Sequence, residues 1–122
     1  MRHYEQLAVF ERNGFDVIVD KTYEDLHPND CFDDSITDIK ELCDKIDRGV
    51  YDWFMLRVRV MFEGLERGAN YLGGCLYENA NEVLSDGTAE DLIGEAMKEA
   101  KIRVVRLKDQ FAMMADTDAE TA

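Results

Sequence analysis

The run Trp53-Phe54-Met55-Leu56-Arg57-Val58-Arg59-Val60-Met61-Phe62 decides the fold. Phe54, Leu56, Val58, Val60 and Phe62 occupy alternate positions, and a strand turns alternate side chains to one face. One face is therefore wholly apolar. The other carries Trp53, Met55, Arg57, Arg59 and Met61, cations mixed with large adaptable side chains. A period of two sustained over this length predicts a central strand with one face packed against a core.

Towards the C-terminus, the glycines of residues 64–68 predict a turn, and residues 69–77 return as an antiparallel partner strand. Towards the N-terminus, apolar-rich residues 7–10 and 15–19 flank Asn13-Gly14, a pair that supplies the positive φ angles of a tight hairpin turn. Residues 20–34 are polar and contain His27-Pro28-Asn29-Asp30, which reads as a loop. Asp34 or Ser35 then caps a helix running to about Arg48. Its apolar positions, Ile36, Ile39, Leu42, Cys43 and Ile46, recur three or four apart, and Gly49 stands where a terminating glycine belongs. Asn79, with Glu82 three residues on, opens a short helix ending near Gly87.

The last element starts at Thr88. Ile93, Met97, Ala100, Val104, Leu107, Phe111 and Met114 alternate spacings of four and three, a heptad seam. Acids come early (Glu90, Asp91, Glu95) and bases late (Lys101, Arg103, Arg106, Lys108), the order that complements a helix dipole. As one helix to Ala115 it would be about 42 Å long, longer than the roughly 35 Å diameter of a chain this size. It must bend, or pair with a second copy through Ile93, Met97, Val104, Leu107 and Phe111. Residues 102–107 also suit a strand, being rich in β-branched side chains; the persistence of the seam favours the helix. The expected class is α+β: a small antiparallel sheet of about four strands, in the order ββαββ and then a short and a long helix, with the two longer helices covering one face. Residues 1–115 form one domain and residues 116–122 a flexible acidic tail.

The chain has 122 residues, 27 acidic against 14 basic, for a net charge of −13. With 46% hydrophobic residues it can bury a core despite that charge. The excess repels phosphate backbones and negative membrane surfaces, so neither nucleic acid nor a membrane is an expected direct ligand. Met1-Arg2-His3-Tyr4-Glu5 opens no apolar run of signal-peptide length, and no stretch approaches a membrane span. Cys31, Cys43 and Cys75 are odd in number and widely spaced, which suits reduced core cysteines and a cytoplasmic location.

Motifs for chemistry are sparse. His3 and His27 lack helical partners, and Asp30, Cys31, Asp33 and Asp34 do not follow the order of a calcium loop. Cys75, in Leu72-Gly73-Gly74-Cys75-Leu76-Tyr77, stands in a strand without a neighbouring base, so Gly73 and Gly74 are expected to allow a bulge while Cys75 faces the core. Gly-Gly-Cys lacks the lysine of a phosphate-binding loop. No metal, cofactor or enzymatic activity is expected.

The acids are patchy. Residues 20–38 hold seven acids and one base, and Asp38, Glu41, Asp44 and Asp47 step by three along the first helix. Such a row resembles a phosphate backbone and can occupy a basic groove on another protein. Glu41 with Lys45, and Asp44 with Arg48, also form i,i+4 pairs that suit an ordinary solvated face. Asp30, Asp33, Asp34, Asp38 and Glu41 are the candidate partner-binding residues.

Asn70-Tyr71-Leu72-Gly73-Gly74-Cys75-Leu76-Tyr77, followed by an acidic segment and Glu90-Asp91-Leu92-Ile93-Gly94-Glu95-Ala96, resembles small uncharacterised proteins of bacteriophages and prophages. The resemblance covers the last half of the domain. It implies phage origin, a compact α+β fold and, by class, action on host machinery such as restriction or CRISPR complexes. The expectation is a non-enzymatic accessory protein that binds a host protein with a basic surface in the host cytoplasm. The alternative is a structural or homodimeric protein working through its last helix.

Overall fold

Asn13 and Gly14 both take positive φ, 54° and 84°, the left-handed pair of a type I′ turn, whose twist matches the strands it joins. The turn links β1 (Glu5–Arg12) to β2 (Phe15–Tyr23), with Arg12 opposite Phe15. This computed structural model describes residues 2–32 and 38–121, and side chains as far as Met114. A four-stranded antiparallel sheet follows chain order, β1-β2-β3-β4, with β3 at Asp52–Phe62 and β4 at Leu65–Tyr77. Between β2 and β3 lie a 3₁₀ turn, Pro28–Asp30, and helix α1, Ile39–Asp47. A second 3₁₀ turn, Ala80–Leu84, precedes α2, Thr88–Thr121. The class is α+β.

The alternation along β3 sorts the faces. Phe54, Leu56, Val58 and Val60 are all buried and meet Val17 and Val19 of β2 across the sheet. Over this face lies α2, which adds Ile93, Ala96, Met97, Ala100 and Val104 to the same core. The helix crosses from one edge towards the other. Near its start Glu90 pairs with Arg12 at the end of β1; further on Ala96 and Ala100 sit over Gly68 of β4. A Cβ at Gly68 would overlap the Ala96 carbonyl oxygen and lie 3.1 Å from the Ala100 nitrogen. Only glycine lets helix and strand backbones approach so closely.

Several expectations are corrected here. The hairpin after β3 turns on Glu63 and Gly64 alone, and Gly68 lies inside a 13-residue β4 rather than in the turn. The capping residue of α1 is Asp38, whose carboxylate accepts the Glu41 backbone N–H at 3.1 Å; the caps expected at Asp34 or Ser35, and Ile36, lie outside the described residues. The short helix expected after Asn79 is present as a 3₁₀ helix, Ala80–Leu84, with Asn79 as its cap. Residues 102–107 are helical, as the persistence of the seam favours, and α2 runs past Ala115 to Thr121. No glycine or proline interrupts that stretch.

The two helices do not share a face. Trp53 points opposite to Phe54, donates its indole N–H to the Leu26 carbonyl at 2.9 Å, and packs against Phe32 with ring centroids 5.8 Å apart. The loop carrying α1 is thus pinned on the Trp53 side. Ile39 and Leu42 are buried there, apart from the central core.

Candidate functional site

Asp38, Glu41, Asp44 and Asp47 are all exposed on α1, as is Asp30 on the turn before it. The row exists, and its helix stands outside the central core. It is partly engaged: Asp38 is spent on the cap, Glu41 lies 3.4 Å from Lys45, and Asp44 lies 3.0 Å from Arg48. Such exposed pairs contribute little and remain free to exchange partners. A shallow groove of about 200 Å³ is lined by Asp38, Glu41, Leu42, Lys45 and Tyr51. Asp33 and Asp34, expected to join the patch, lie outside the described residues.

Asp20 does not belong to the acidic surface, although it opens the acid-rich stretch. It is 3% exposed. Its carboxylate accepts from Arg57 Nε at 2.7 Å and Nη2 at 2.6 Å, and from Arg59 Nη2 at 3.4 Å. Asp20 stands opposite Arg57 in the β2–β3 register, which explains the cations on the face of β3 turned away from the core. Arg57 also lies over the Tyr4 ring, 3.4 Å from its centroid. Glu24 is likewise committed, accepting the Gly74 backbone N–H at 2.7 Å, and Asp25 pairs with Arg2.

Cys75 faces the core at 5% exposure, beside the bulge that Gly73 and Gly74 make between the pairs Phe54–Cys75 and Leu56–Leu72. Burial pushes its thiol up to about 11, the reverse of what a nucleophile needs. A different cysteine has the closer base. Cys43 Sγ lies 3.8 Å from His27 Nε2, and His27 Nδ1 lies 2.8 Å from Asn29 Oδ1, beside a cleft of about 300 Å³ that Trp53, Ile46 and Asp47 help to line. The residues are 16 apart in sequence, so no local spacing announces the pair. Cys43 sits in the middle of α1, away from the helix N-terminus that would favour a thiolate. No group of three or more potential metal ligands occurs among the described residues.

Tyr77 donates its hydroxyl to Asp86 Oδ2 at 2.6 Å, and Asp86 Oδ1 accepts the Thr88 backbone N–H at 2.9 Å. The Tyr77 hydrogen bond holds the Asp86 carboxyl below its ordinary range. Both contacts fix the entry to α2.

The expected dimer seam is divided. Ile93, Met97 and Val104 are buried against the chain's own sheet, because the first half of the seam faces Val58, Val60 and their neighbours. They are not open to a second copy. Leu107 is half-buried, and Phe111 and Met114 are 67% and 61% exposed. Among the described residues no helix is long and apolar enough to cross a membrane. No protein-family description, curated protein or solved structure matches the chain.

Proposed function

We propose that the chain is a non-enzymatic, phage-type accessory protein that binds a host protein with a basic surface and inhibits or redirects it. A nucleic-acid-handling defence complex, of the kind met by anti-CRISPR or anti-restriction proteins, has the cationic groove such a ligand fits. The observation that carries this reading is the exposed carboxylate row of α1, Asp38, Glu41, Asp44 and Asp47, with Asp30 beside it. Its helix is held to the sheet through Trp53 and the loop rather than buried in the core, so one face stays open along its length. A row of negative charge accelerates encounter with a cationic groove and fixes its register. The resemblance of residues 70–77 and 90–96 to phage proteins, and the overall charge of −13, point the same way.

The test is affinity capture from host extract with the wild-type chain and with Asp30→Lys/Glu41→Lys/Asp47→Lys. Asp38 is left in place because its loss would uncap α1. The reading expects a partner held by the wild type and lost by the variant; equal capture by both contradicts it.

A further inference from the structure

We infer that the projecting half of α2 pairs with the same segment of a second copy, antiparallel, making the protein a homodimer. The 34 residues of α2 span about 51 Å at 1.5 Å per residue. The sheet uses only the first half: the last residue of α2 in the core is Val104, just beyond the point where the helix passes over Gly68 of the edge strand β4. The rest extends past that edge. An isolated helix of this length is marginal in water, so it needs an apolar partner to persist. It carries the apolar surface for one on a single face, where Leu107 is half-buried and Phe111 and Met114 are 67% and 61% exposed.

Charge selects the partner and its direction. Residues 101–108 contain Lys101, Arg103, Arg106 and Lys108 and no acid; residues 109–122 contain Asp109, Asp116, Asp118 and Glu120 and no base. Lys101, Arg106 and Lys108 form no ion pair among the described residues. Laid antiparallel, two copies set the basic stretch of one helix beside the acidic end of the other, with the two-fold near Phe111. A parallel pair would stack like charges. A membrane or nucleic acid would attract the bases but repel the acidic end and the rest of the chain.

Pairing through β4 itself is obstructed. Three of its backbone N–H groups are already taken by side chains: Ala69 by Glu99 at 3.3 Å, Tyr71 by Asn70 at 3.0 Å, and Gly74 by Glu24 at 2.7 Å. This protects that edge strand from recruiting another chain.

Sedimentation equilibrium on the full chain tests the inference. The wild type is expected at twice the monomer mass of 14.0 kDa at about 100 µM, with association loosened by added salt. Phe111→Glu/Met114→Glu is expected to sediment as a monomer. Both residues are exposed, so its circular dichroism over the core and its urea midpoint at low concentration should match the wild type. A monomeric wild type at about 100 µM, or a dimer that survives the double substitution, overturns the inference.

Discussion

A side chain at Gly68 has nowhere to go. Its Cβ would overlap backbone atoms of α2 at Ala96, and backbone, unlike the far end of a flexible side chain, cannot swing aside. Gly68→Ala should therefore lift the helix from the sheet and destabilise the chain by about 2–3 kcal/mol, in the range of overpacked cores. Urea unfolding measures it, and a loss below about 0.5 kcal/mol, the level of neutral surface changes, would show that the helix sits less closely. Asp20 is the second position where one residue governs its surroundings. Asp20→Ala leaves Arg57, only 15% exposed at its side chain, without its carboxylate. Removing one partner of a largely buried pair costs about 3 kcal/mol or more, whereas Asp20→Ala/Arg57→Met should recover much of the loss. Equal losses in the single and double variants would mean that the charge pair is not the cause.

At the scale of elements, α2 is tied to β1 where Arg12 Nη1 and Nη2 donate to both Glu90 oxygens at 2.9 and 3.0 Å. These hydrogen bonds hold the Glu90 carboxyl below its ordinary 4.5. A carboxyl depressed in the folded state stabilises it above the unfolded value, and the contribution disappears as pH falls through the folded one. Urea midpoints of wild type and Glu90→Gln should thus differ near neutral pH and converge in acid, below the ordinary carboxylate range. A gap independent of pH would assign the effect to packing. Elements with strong periodicity were legible from sequence: β3 by its period of two, α2 by its seam, the first hairpin by Asn13-Gly14. What was hidden depends on pairing between distant residues. Gly68 read as a turn residue because nothing local reveals a helix above it. Asp20 read as part of an acidic surface because its partners, Arg57 and Arg59, come from another strand. The first half of the α2 seam read as a dimer contact because heptad spacing does not distinguish a partner helix from the chain's own sheet.

Over the whole molecule, the net charge of −13 separates into regions with different roles. Asp20 is neutralised inside the sheet, Glu24 and Asp25 hold loops, and the bases of residues 101–108 gather on the projecting helix. The carboxylates left facing solvent on α1 and at Asp30 form the candidate site. Its residue types were visible in the sequence, but their accessibility was not, since this follows from the loop that Trp53 and Leu26 anchor. The most direct test of the account is the dissociation constant between the captured host partner and the purified chain, measured for the wild type and for Asp30→Lys/Glu41→Lys/Asp47→Lys over a range of salt. The account predicts a Kd that weakens with salt and rises about tenfold or more in the variant, a loss of at least about 1.4 kcal/mol. An unchanged Kd, insensitive to salt in both proteins, would contradict it.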